Sequence, residues 1–160
     1  MSLRSALPVS RQRGATLVEI LVAVVILSLG LLGLASLQIR AMRGSHSSVQ
    51  RTQAVILSHS LLDLMRVDRA SALQGDYNTT RLTPSGRVCA PLTTVPTGLA
   101  QTEFQGWFAL VKSQLGRPLD QSTCADVSCD AQGLCTVRLQ WDDSASGGLP
   151  NQHMSVSTRL

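Results

Sequence analysis

From Ala15 to Leu37 the chain carries one ionisable side chain, Glu19, and three other polar ones, Thr16, Ser28 and Ser36. The rest of the stretch is aliphatic, alanine or glycine. An apolar run of this length has few places to go. As a helix it spans about 35 Å at 1.5 Å per residue, enough to cross a hydrocarbon core of roughly 30 Å. Beyond Leu37 the composition turns mixed. A chain of 160 residues then reads as one hydrophobic segment followed by one small domain. Aromatic residues are few (Tyr77, Phe104, Trp107, Phe108 and Trp141), so the core of that domain must be mostly aliphatic.

The formal net charge of +4 is concentrated at the start of the chain. Arg4, Arg11 and Arg13 precede Gly14 without an accompanying acid; the other 11 basic residues are nearly balanced by 10 acids. The balance leaves no basic footprint for nucleic acid. Arginines just before an apolar span follow the positive-inside pattern, which predicts a cytoplasmic N-terminus and a translocated C-terminal domain. All four cysteines, Cys89, Cys124, Cys129 and Cys135, lie beyond the span. On the translocated side disulfides form and persist. Three pairings are open. The short loop around Gly133 favours Cys129 with Cys135, and so Cys89 with Cys124. A metal site is the weaker reading, because the C-x4-C-x5-C spacing lacks a C-x2-C knuckle and has no histidine nearby. No metal and no cofactor is expected.

The first segment has two ordinary readings. A secretory signal peptide has an apolar region of about 7–15 residues and a small-x-small cleavage site. This run is longer, and such a site is only weakly present around Gly33 and Ala35. A plain membrane anchor leaves Glu19 unexplained, since an acid at the centre of a span costs about 2.5–3.5 kcal/mol and somewhat less near an interface.

A third reading accounts for both Gly14 and Glu19. The stretch R-Q-R-G-A-T-L-V-E-I-L-V-A-V-V-I-L resembles the N-terminus of type IV prepilins and of type II secretion pseudopilins. Those chains have a basic leader ending in glycine and a glutamate at the fifth mature position. With Ala15 as the first mature residue, Glu19 is the fifth. Ala15 departs from the commonest residue there, phenylalanine. The resemblance implies cleavage between Gly14 and Ala15 by prepilin peptidase, followed by N-methylation of Ala15. It also implies that Glu19 acts in assembly, as a salt-bridge partner in the membrane for the new ammonium of a neighbouring subunit. A carboxylate in low dielectric is costly alone and tolerable when paired.

No proline interrupts Ala15 to Val67, so one long helix is allowed. Gly30 and Gly33 weaken it locally. They admit either local stretching or close helix packing. After Arg40 the pattern becomes amphipathic. Val49, Gln53, Ile56, Leu57, Ser60, Leu61, Leu64 and Val67 recur at spacings of three and four, which predicts that this face packs on a sheet. The run S-L-L-D-L-M-R-V-D-R-A-S-A-L-Q-G-D-Y, residues 60–77, is similar to one found in minor pilins of the PilV type, also called type IV pilus modification proteins. So are G-L-L-G-L-A-S-L-Q, residues 30–38, and R-L-Q-W-D-D, residues 138–143. Residues 78–132 show no such similarity. Asp63 and Arg66 can pair on the helix surface, and with Arg69 they are candidate contacts to another minor pilin.

Downstream, residues 76–98 read as an irregular loop with a short strand near Arg87–Ala90. Thr102 to Leu115 reads as a helix, with Thr102 as N-cap, Gly116 as its stop, and Phe104, Phe108, Leu110 or Val111, and Leu115 at helical spacing. Residues 135–141 and 153–160 alternate as strands of a hairpin, and a third strand is expected near Ala125–Ser128. The predicted fold is α+β and pilin-like: a long N-terminal helix, transmembrane in its first half and amphipathic in its second, packed on a small antiparallel β-sheet. The expected parts are a cytoplasmic leader, 1–14; a transmembrane and filament-core half-helix, 15–38; an amphipathic half-helix, 39–70; and a periplasmic α+β head, 71–160.

Nothing in the sequence favours an enzyme. His59 and Asp63 share a helical turn, but no nucleophile elbow, phosphate loop or H-E-x-x-H is present. Asp142 and Asp143 lie in a Gly/Ser loop and read as a solvated turn before calcium ligands or catalytic carboxylates. What the resemblance implies is a non-enzymatic minor pilin. It would sit in the inner membrane with a periplasmic head and then enter the pilus. Its partners would be prepilin peptidase, other minor pilins, the major pilin and a tip adhesin. Its role would be priming assembly in support of adhesion or twitching motility. The alternatives are a type II secretion minor pseudopilin and a membrane-anchored periplasmic enzyme or binding module.

Overall fold

The structure is a computed structural model that describes residues 14–92 and 98–160. The leader before Gly14, with Arg4, Arg11 and Arg13, lies outside the described residues, as does the stretch 93–97 of the expected loop. The chain divides into two units, residues 1–40 and 41–160.

In the first unit the described chain is helical from Leu17 onward, as the opening of α1 (Leu17–Val67). Its side chains are exposed on every side. Its two serines satisfy themselves within the helix: Ser28 donates to the Val24 carbonyl at 2.7 Å and Ser36 to the Gly33 carbonyl at 2.8 Å. Such back-bonding is what lets a hydroxyl enter an apolar medium without an orphaned donor. The helix is long and apolar enough to cross a membrane.

The second unit is α+β. It contains the rest of α1, the short α2 (Arg69–Leu73), α3 (Leu99–Leu115), and the strands β1 (Cys124–Cys129), β2 (Leu134–Trp141) and β3 (Gln152–Arg159). The strands form one antiparallel sheet in the order β1-β2-β3. The alternation seen in residues 135–141 holds: Cys135, Val137, Leu139 and Trp141 are buried. The long helix, α3 and the inner face of the sheet share one core. This is the pilin-like arrangement expected.

Two expectations about the helices need correction. The buried face of α1 is Ala54, Leu57, Ser58, Leu61, Leu62 and Met65, turned by about a third of a revolution, on 100° per residue, from the predicted one. Leu57 and Leu61 are shared, but Val49, Ile56 (55% exposed) and Val67 (90% exposed) remain outside the core. The prediction followed the bulkier side chains. The fold instead buries the side on which Ala54 and Ser58 allow close approach. There the indole N–H of Trp107 reaches the Leu57 carbonyl at 2.8 Å. The second correction concerns α3, which begins three residues early, at Leu99 after Gly98, with no side-chain cap. Starting there adds Ala100 to the core. The Thr102 hydroxyl bonds back to the Gly98 carbonyl at 3.0 Å instead of capping.

The disulfides are Cys89–Cys124 and Cys129–Cys135. The second crosses directly paired positions of β1 and β2. Their four-residue turn uses Gly133 at φ 82°, a conformation that glycine adopts without steric cost. The Asp130 carboxylate accepts the Gln132 and Leu134 N–H groups.

The segment 78–88 covers the outer edge of β1. Val88 pairs with Ala125 by two 2.8 Å backbone bonds. Val127 donates to the Thr79 hydroxyl at 3.0 Å. Asn78 exchanges both its amide groups with Cys129, at 2.7 and 3.2 Å. The short strand expected near Arg87–Ala90 is thus a single bridge, and two side chains do the remaining work of a strand.

The loop after α3 is organised by a buried ion pair that the sequence reading did not single out. Lys112, 2% exposed, lies against the Phe108 ring and donates to the Asp120 carboxylate at 3.0 Å. Asp120 also accepts from the backbone of Arg117 and Thr123 and from the Thr123 hydroxyl. Partial burial works to raise the Asp120 carboxyl, but these donors overrule it and hold it at about 2, below its ordinary 3.8. A depressed carboxyl stabilises the fold above its unfolded pKa, and that stability is lost as pH falls through the folded one. Melting temperature should therefore drop between pH 4 and pH 2 in the parent chain, and Asp120→Ala should lack that component. At neutral pH, Asp120→Ala leaves the buried ammonium only the residue-120 backbone carbonyl as acceptor and should cost about 3 kcal/mol, whereas Lys112→Met, which leaves the partly exposed Asp120 carboxylate its donors from Arg117 and Thr123, should cost less. Denaturant titration of the full chain in detergent micelles measures both.

Candidate functional site: the N-terminal segment

Gly14, Ala15 and Thr16 are exposed and belong to no helix or strand, directly before the first turn of α1. The Thr16 carbonyl accepts the N–H of Ile20 at 3.2 Å, and the Thr16 hydroxyl accepts the N–H of Glu19 at 3.3 Å. Thr16 thus occupies the N-cap position, and Glu19 is the third helical residue. T-x-x-E is the capping-box spacing, a local signal that the sequence reading passed over. A carboxylate in the first turn also faces the partial positive charge of the helix N-terminus. The carboxylate therefore stands where the helix itself favours one, at the polar end of the apolar run. Glu19 is exposed and forms no ion pair among the described residues.

Of the other residues singled out by sequence, Asp63 and Arg66 form an exposed ion pair at 2.5 Å. Arg66 also donates to the Thr158 hydroxyl of β3 at 3.1 Å. Arg69 opens α2 and is exposed. His59 is exposed, while the Asp63 beside it is engaged by Arg66. The two acids of the 142–143 loop diverge. Asp142 is exposed and held below its ordinary range by the Ser144 hydroxyl and N–H. Asp143 is buried and accepts from the Ser47 hydroxyl. Among the described residues no group of three or more His, Cys, Asp or Glu could hold a metal ion.

Residues 9–35 match the family described as Prokaryotic N-terminal methylation motif. The N-terminal segment carries a prepilin-type motif. It includes Gly14, Ala15 and Glu19 and nearly all of the apolar run. No curated protein matches the chain, and no solved structure matches it. With the pilin-like fold, the motif supports a type IV pilin or pseudopilin role and points to a structural protein. The apolar helix and the motif fit anchoring in a membrane.

Removing the cap isolates its share of helix-end order. Thr16→Ala in the full chain in lipid nanodiscs should speed amide exchange at Glu19 by about fivefold, equivalent to the ~1 kcal/mol of an N-cap hydroxyl. An unchanged rate at Glu19 would show that the hydroxyl holds nothing.

Proposed function

We propose that this chain is a minor pilin of the PilV type that helps prime type IV pilus assembly. In this reading residues 1–14 are a cytoplasmic leader, removed by prepilin peptidase between Gly14 and Ala15. The freed Ala15 amine is then methylated. Residues 15–38 cross the inner membrane once and later enter the filament core; 39–70 are the amphipathic half of the helix, and 71–160 the periplasmic head. Glu19 pairs with the Ala15 ammonium of a neighbouring subunit. The partners are other minor pilins and the major pilin, in a complex at the tip that includes an adhesin and serves adhesion or twitching motility. Asp63, Arg66 and Arg69 are proposed as contacts to another minor pilin.

The observation that carries the reading is the motif itself, placed at the mouth of a helix whose first half is apolar on every side. The run from Ser60 to Tyr77 favours a minor pilin over a type II secretion pseudopilin. The two disulfides support an oxidising location for the second unit.

The test is the intact mass and N-terminal peptide of the protein from membranes of cells with and without prepilin peptidase. The expected product is a chain beginning at methylated Ala15, present only with the enzyme. An uncut chain, or one cut near Ala35, would overturn the reading. Glu19→Val should still be cleaved yet enter sheared pili at about a tenth of the parent level, the loss expected when roughly 1.4 kcal/mol of subunit pairing is removed.

A further inference from the structure

The two edges of the sheet are treated differently. Asn78, Thr79 and Val88 close the outer edge of β1. The outer edge of β3 carries no strand among the described residues. Leu160 donates to the Gly133 carbonyl at 2.9 Å, which sets the phase of the ladder. The even-numbered residues of β3 then bond to β2, and His153, Ser155, Ser157 and Arg159 turn their N–H and C=O groups outward. All four are exposed. The strand is eight residues long and contains no proline, lysine or inward-pointing charge, the usual devices that blunt an edge.

Beside this edge runs a flank of α1 on which Arg51, Val55, His59 and Arg66 recur at helical spacing. Arg51, Val55, Trp141, His153 and Met154 line a cavity of about 300 Å³ at the start of β3. The cavity walls are rich in donors. Arg51 forms no ion pair among the described residues, and the buried indole N–H of Trp141 has no acceptor. The one acid along this flank, Asp63, is already paired with Arg66. Basic and donor groups thus border an open row of backbone amides, with apolar Val55 and Met154 between them.

We infer that the β3 edge accepts an extended segment of a partner protein that adds a fourth strand and places an acidic side chain beside Arg51. Backbone bonds to His153, Ser155, Ser157 and Arg159 would supply affinity, and the cavity would supply selectivity. An added strand sets its inward-facing side chains next to Met154 and Val156, so one such residue, aspartate or glutamate, reaches the Arg51 guanidinium. The inference concerns the 41–160 unit and goes beyond the minor-pilin reading.

The test uses the full chain in nanodiscs and two synthetic octapeptides of alternating threonine and valine. One has a central glutamate, and the other has lysine in its place. Hydrogen exchange read by NMR should show protection of the amides of His153, Ser155, Ser157 and Arg159 with the glutamate peptide. The lysine peptide should bind at least about tenfold more weakly. Arg51→Glu should reverse that order. Ser155→Pro, which removes an outward N–H that the β2 ladder does not use, should abolish protection by the glutamate peptide. If Ser155→Pro lowers the melting temperature, the Arg51→Glu comparison decides alone. The inference is overturned if neither peptide protects these amides or if both bind equally. It is also overturned if the chain alone protects them in a concentration-dependent way, because the edge would then pair with a second copy.

Discussion

A single helix, α1, must satisfy two different surroundings along its length. From Ile20 to Leu37 its side chains, Ser28 and Ser36 apart, are apolar on all sides and exposed on all sides, a state that water does not tolerate over so large an area. From Ala54 to Met65 one stripe is buried and the rest is open. The first half demands an apolar medium or other apolar helices, and the second half demands a head to pack against. Small residues make the second requirement easy to meet. Ala54 and Ser58 bring the helix close enough for Trp107 to hydrogen-bond its backbone, tying α3 to α1 through one indole.

The sheet built on that stripe is small, and its order depends on side chains that imitate backbone. Asn78 and Thr79 complete β1, and Asp120 gathers the N–H groups of the loop after α3. In both places a buried polar group has found its partners, the condition under which burial ceases to be a penalty. Cys89–Cys124 reinforces the same edge, and Cys129–Cys135 ties the other end of β1 to β2. Among the described residues the three-stranded sheet thus has one edge closed by loop, side chains and the Cys89–Cys124 cystine, and the other left open.

Much of this was legible in the sequence, and the reasons for the rest are physical. Period-two alternation from Cys135 to Trp141 marked the central strand, because a sheet with one buried face imposes that period. The apolar run and Gly14–Glu19 marked the candidate site. The buried face of α1 was misread because hydrophobic size pointed one way and closeness of approach the other. Val49, Ile56 and Val67 are larger than Ala54 and Ser58, yet the close approach on the other face decides the orientation. The start of α3 was misread because Thr102 is a good cap in isolation, while Ala100 adds to the core only if the helix starts earlier. Lys112 and Asp120 gave no signal at all. A lysine on a helix is normally solvated, and only tertiary structure brings the carboxylate eight positions on to its ammonium.

Glu19 illustrates how one residue can answer two demands at once. In the chain as described, it sits in the first turn after Thr16, where a carboxylate offsets the roughly +0.5 charge equivalent at a helix N-terminus. In the proposed mature form, cleavage would add an ammonium one residue before that cap. Positive charge at the helix mouth would then exceed what a single carboxylate neutralises. Subunits placed side by side can share the load, with each carboxylate facing its own helix end and the amine of its neighbour. A neutral side chain at position 19 could still allow the helix to form, since Thr16 caps it. It could not balance the amine of another subunit, so the loss should appear in assembly and leave folding largely intact.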